Sequence, residues 1–297
     1  MRAFSILPLI AASLFFSSRT PAMGLPPAPS ELTIQVRQGD WGTAHTPDIK
    51  AVLESVAAVL APYFPQRNSN RVVVAFNSEG PRVLFDKASD GAYVVLLNVK
   101  DTRWDQFAYQ FSHELCHIFT NYEHRQANTE TRDHQWFEES LCEMVSLFTL
   151  DRMASRWEQS PPNAHWKDYA PAFRKYAGHL LDAQHLQWPS NTTIAEWYGE
   201  NQAQLEDNPY LRDKNALVAG QLLALFDSVP DAIATLGYLN LDTSNSDRSF
   251  AAYLKSWRSC CPEEQREVVN RVISLFETDR RNGDAFAALP VSRDITH

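Results

Sequence analysis

Phe111-Ser-His-Glu-Leu-Cys-His-Ile-Phe119 is the stretch on which the reading of this chain turns. Residues four apart share one face of an α-helix, so His113 and His117 can aim both imidazoles at a single point. Glu114 lies about 100° further round, near that point without being committed to it. Two nitrogen donors beside a carboxylate are the layout of a metal site that carries its own proton acceptor. The flanks predict a buried helix from Thr102 to Thr120. Trp104, Ala108, Phe111, Leu115 and Ile118 form one apolar stripe, while Gln106, Gln110, His113 and His117 line another face. Amphipathicity explains the stripe but not a face given to two histidines.

The motif is short and the chain holds nine histidines, so coincidence is the competing explanation. A third donor decides, because catalytic zinc takes three protein ligands and keeps one position open. Thr120 and Glu123 stand three and six residues after His117. Without Gly at the first of these the helix lacks a sharp exit, and Glu123 is hard to bring back. His124 and His134 lie in the polar stretch Asn121 to His134, which reads as a surface loop. Glu139 and Glu143 lie on a second predicted helix, Gln135 to Arg156. They are four apart and share a face within an apolar run that includes Trp136, Phe137, Leu141, Met144 and Phe148. Two carboxylates there need positive charge to offset their desolvation, and a zinc ion with its imidazoles supplies it.

Trp136-Phe-Glu-Glu-Ser-Leu-Cys-Glu143 resembles the W-x-x-E-G-x-A-E/Y segment of the gluzincin metallopeptidases, zinc enzymes of the H-E-x-x-H…E type that include thermolysin-like and aminopeptidase-like members. The likeness covers about residues 111–145. It implies that Glu139 is the third zinc ligand, that Glu143 hydrogen-bonds a ligand histidine, His113, and that Glu114 is the general base. It implies a zincin-like fold in which zinc sits between a small N-terminal sheet with its active-site helix and a mostly helical C-terminal lobe. In such enzymes the strand nearest the cleft pairs with an extended substrate, and Tyr93–Asn98 is the candidate. They also use an oxyanion donor from the C-terminal lobe. Tyr210 is the candidate for that role, with Arg212, His165 and Tyr169 as rivals. Ser140 replaces the usual Gly and Glu138 the usual Asn, and neither change removes a ligand. The 21 residues between His117 and Glu139 fit the group's range.

The rest of the chain agrees with an α+β class. Strands are predicted at 31–37, 71–76, 82–85 and 91–98, with a helix at 47–60 among them. Helices follow the motif at about 168–184, 211–228, 230–238, 247–256 and 263–279. This divides one catalytic domain, residues 23–297, into an α/β lobe (about 31–125) and a helical lobe (about 126–297).

Before it, Met-Arg, an apolar run from Ala3 to Phe16 and a small-residue exit near Ala22 form a signal-peptide pattern, too short for a convincing membrane span. The expectation is export, to a periplasm or the exterior, with no stable membrane insertion after cleavage. Removing residues 1–22 takes Arg2 and Arg19 and no acid, which makes the net charge −11 rather than −9. No basic stripe exists, which argues against nucleic acid and leaves a peptide or protein as the expected partner. Cys116 and Cys142 each stand one residue before a site residue. If the two helices converge, an oxidising compartment would allow a disulfide between them, the alternative being two buried thiols. Two other readings compete with the enzyme: a catalytically silent zinc-binding protein of this fold in the cell envelope, and an α+β envelope protein whose motif is coincidence.

Overall fold

The computed structural model describes residues 32–277 apart from 68–69, 125–132, 183–186, 243 and 245; the expected signal peptide lies outside the described residues. Strands β1 (Thr33–Val36), β2 (Arg71–Phe76), β3 (Arg82–Val83) and β4 (Tyr93–Leu97) form one sheet in the order β1-β2-β4-β3. β1, β2 and β4 run parallel, and β3 lies antiparallel on β4. A parallel pair needs a crossover, which helix α1 (Thr46–Leu60) supplies between β1 and β2. The valine runs of β2 and β4 are buried at consecutive positions, as strands covered on both faces must be.

One expectation is corrected here. β4 is not the strand at the open side, because β2 and β3 flank it. The outer strand on the β4 side is β3, with β1 at the other edge. Val83 pairs with Val95, while the neighbouring Leu84 N–H donates to Val94 O at 2.9 Å. Hydrogen-bonded and non-bonded pairs alternate in an antiparallel ladder, so the N–H and C=O of Val83 face away from β4. A strand of two residues carries too little pattern to announce that position.

Helix α2 (Trp104–Phe119) packs its stripe, including Phe107, Phe111, Leu115 and Ile118, into the core. Gln110 fixes its rotation against the sheet: Asn98 N–H donates to Gln110 Oε1 at 3.1 Å, and Gln110 Nε2 donates to Asn98 Oδ1 at 2.6 Å. The helix does have a sharp exit, made by asparagine instead of glycine. Asn121 takes φ 61°, and its Nδ2 donates to Gly237 O at 3.0 Å and Leu239 O at 2.8 Å. Asparagine tolerates this left-handed conformation better than other non-glycine residues. Asn121→Ala strands two buried carbonyls and strains the turn. The expected loss is on the order of 3 kcal/mol, read as a lowered denaturant midpoint at unchanged m-value.

The C-terminal lobe is built on α3 (Gln135–Gln159), which packs against α2, α4 (Ala170–Leu181) and α6 (Arg212–Ser228). A 3-10 helix (Pro230–Tyr238), α7 (Phe250–Cys260) and α8 (Arg266–Phe276) complete it, together with α5 (Ile194–Asp207). Sequence patterning missed α5, although Thr193 and Glu196 form a capping box that marks its start. That helix has a task. Its Glu206 accepts from His134 N at 3.0 Å and Trp136 Nε1 at 3.1 Å, pinning the first residues of α3. Buried residues of both lobes form one contiguous cluster. Among the described residues no single helix is long and apolar enough to cross a membrane.

Candidate metal centre

Contacts between α2 and α3 pair Tyr109 with Glu143, His113 with Glu139, and His117 with Glu138. One number rises as the other falls, so the two helices run antiparallel at the site. His113 Nε2 lies 3.2 Å from Glu139 Oε2, and His117 Nε2 lies 3.6 Å from the same oxygen. One donor atom from each of the three residues falls within 4.8 Å of the others. Donors at zinc distance in a tetrahedral shell lie about 3.3 Å apart, so the spacing and the N, N, O chemistry fit zinc. His117 is buried, whereas His113 and Glu139 are partly open, which leaves the site approachable from one side.

Other candidates for the third donor are engaged elsewhere. Glu123 accepts from Arg67 Nη1 at 2.9 Å and from the Tyr93 hydroxyl at 2.7 Å. His124 Nδ1 meets Asn240 O at 3.1 Å, and His134 Nδ1 meets Glu206 at 2.6 Å. The structure therefore brings Glu139 and not these residues to the histidine pair.

Behind the donors stand carboxylates. Glu143 Oε2 is 3.7 Å from His113 Nδ1, longer than a hydrogen bond, and its other oxygen accepts a hydrogen bond from the Tyr109 hydroxyl. Glu138 is tighter: its Oε1 lies 2.9 Å from His117 Nδ1 and accepts from Thr120 Oγ1 at 2.9 Å. Sequence reasoning passed over Glu138 as a neutral departure and missed Tyr109. Yet Tyr109 stands four residues before His113, and a second consecutive acid on a buried helix is itself a signal.

Electrostatics follow from this crowding. Burial opposes charge on Glu139, but the His117 and His113 imidazoles outweigh it and hold its carboxyl well below the usual range. Burial also opposes protonation of His117, and Glu139 with Glu138 reverses that, lifting its pKa well above 6.5. Glu114 is 4% exposed, and burial raises its pKa above 4.5 against the pull of both histidines. The Val83 backbone N–H donates to its carboxylate, which places Glu114 against the open edge of the sheet.

These shifts fix a pH dependence. In the metal-free chain, protonated His117 stabilises the fold fully below about pH 6.5, its unfolded value, and that stability is lost as pH rises through the raised folded value. Glu139 acts oppositely: its share is present above about pH 4.5 and lost as pH falls towards the depressed value. The two overlap from about pH 4.5 to 6.5, where the metal-free protein is expected to melt highest. Zinc must displace the His117 proton, so the rise in Tm on adding zinc should grow between about pH 6 and 8. A zinc-induced rise that is flat across that range would contradict the assignment of His117.

Tyr210 is 52% exposed, and its hydroxyl accepts from Gln135 Nε2 at 2.9 Å. Gln135 also reaches Glu139 Oε1 at 3.5 Å, so Tyr210 stands one side chain from a candidate ligand. Arg212 is exposed and near Tyr109 and Tyr176; burial raises the pKa of both hydroxyls, and the Arg212 charge only partly opposes it. Tyr169 instead donates to Asp105 at 2.9 Å at the opening of α2, and His165 packs on Trp166. All four cysteines are free thiols. Cys116 and Cys142 touch between α2 and α3 without a bond; burial pushes the Cys142 thiol well above its usual value, and its Sγ is 3.5 Å from His117 Nδ1.

No protein-family profile matches this chain, and no curated protein matches it in sequence.

Proposed function

We propose that the chain is an exported zinc-dependent metallopeptidase of the gluzincin type. The observation that carries the reading is the convergence of His113, His117 and Glu139 on one point, with the buried carboxylate of Glu114 beside it. Zinc held there would polarise a scissile carbonyl and acidify an attacking water. Glu114 then takes the water's proton, and its raised pKa suits it to deliver that proton to the departing amine. The outward C=O of Val83 offers an extended peptide strand an acceptor at the edge of the sheet, its N–H being turned to Glu114. Such a strand would pass directly over Glu114. Tyr210, joined to Glu139 through Gln135, is the donor assigned to the oxyanion. Export rests on the pattern of residues 1–22. Elemental analysis of the purified chain tests the metal half of the reading: one zinc per chain supports it, and protein that takes up no zinc after incubation with the ion removes it.

A further inference from the structure

We propose that Glu138, locked in place by Asn240, is the positioning carboxylate of His117, so that metal retention is set from the C-terminal lobe. This rests on the zinc reading of the site and adds a control that the three donors do not contain. Glu138 directly precedes Glu139 and is 1% exposed. Its hydrogen bonds include those from His117 Nδ1 and Thr120 Oγ1 to Oε1, each at 2.9 Å, and from Asn240 Nδ2 to Oε2 at 3.0 Å. An imidazole that gives its Nδ1 proton to a carboxylate keeps the Nε2 lone pair for a metal, fixed in direction and made more basic.

Asn240 lies beyond the 3-10 helix of the C-terminal lobe and holds φ 60°. Its amide orientation is dictated from both ends. The Tyr253 hydroxyl on α7 donates to Oδ1 at 2.9 Å, which turns Nδ2 towards Thr120 O at 2.9 Å and Glu138. An amide at position 138 could still accept from His117 and Thr120. Its own NH2 would then meet the NH2 of Asn240, donor against donor, and the negative charge would be gone. The site is therefore built for a carboxylate. A continuous path runs from Tyr253 through Asn240 and Glu138 to His117. His113 has no equal to it, since Glu143 stands off at 3.7 Å.

Three variants test this: Glu138→Gln, Asn240→Ala and, as a control, Glu206→Gln. Glu206 is a partly buried carboxylate that likewise holds a histidine, His134, and among the described residues it hydrogen-bonds to none of the three donors and to neither Glu138 nor Asn240. Each variant is titrated with zinc against a chromophoric chelator at one pH. Cobalt absorption and the melting of the metal-free protein are recorded alongside. Glu138→Gln should bind zinc about 10–100-fold more weakly and shift the cobalt bands. Asn240→Ala should move both readouts the same way by less. Glu206→Gln should lower the metal-free Tm while leaving zinc affinity within about twofold of wild type. The proposal is overturned if the Glu138 and Asn240 variants bind zinc as wild type does, or if the Glu206 variant loses as much affinity as they do. Should Glu138→Gln fail to fold, Asn240→Ala decides alone. A wild-type chain that binds no zinc overturns the site itself, a result distinct from tight wild-type binding with indifferent variants.

Discussion

Replacing Glu114 by Gln is expected to leave one zinc per chain and to lower peptide hydrolysis by roughly 10²–10⁴-fold. The change keeps the side chain's length, and the amide oxygen can still accept from the Val83 backbone. What it removes is the ability to take and return a proton. Glu114 is not among the three converging donors, so metal content should be indifferent to it. Its position between the outer strand and the histidines matches that division of labour. Full hydrolysis by a purified Glu114→Gln protein would take the base role away from this residue.

Glu139→Ala should do the reverse, taking zinc content from about one ion per chain towards zero and activity with it. Two imidazoles alone leave a catalytic zinc one ligand short. No substitute stands ready: Glu123 is tied to Arg67 and Tyr93, His124 to Asn240, and His134 to Glu206. Elemental analysis after incubation with zinc and desalting reads the result. Retention of a full equivalent would mean that the third donor lies elsewhere.

The site was legible where chemistry repeats at helical spacing. His113 and His117 on one helix, with Glu139 and Glu143 on the next, each form a pair four residues apart. Both sit in apolar surroundings that charge alone does not explain. What stayed hidden depends on contacts between distant residues. Glu138 looked neutral because its importance comes from Asn240, 102 positions away. The outer position of β3 is a property of pairing, and two residues carry too little pattern to show it. Strand β4 was chosen for its strong valine run, yet that run marks a strand covered on both faces, which is the opposite of an open edge. Helix α5 escaped because attention to apolar periodicity overlooked its capping box. Asn121 shows the same lesson at one residue: the absence of glycine suggested no sharp helix exit, but an asparagine hydrogen-bonded to Gly237 and Leu239 makes one.

Cys116 and Cys142 meet as the convergence of the two helices required, but as thiols. Their contact adds packing between the metal-bearing helices, and burial keeps Cys142 protonated and so a poor ligand.

Cleavage of a peptide library by the wild-type chain, with and without a chelator, tests the account most directly. The account predicts cleavage that stops when metal is withdrawn and returns with one equivalent of zinc. Cleavage indifferent to the chelator would contradict it, as would a chain that carries one zinc and cleaves nothing.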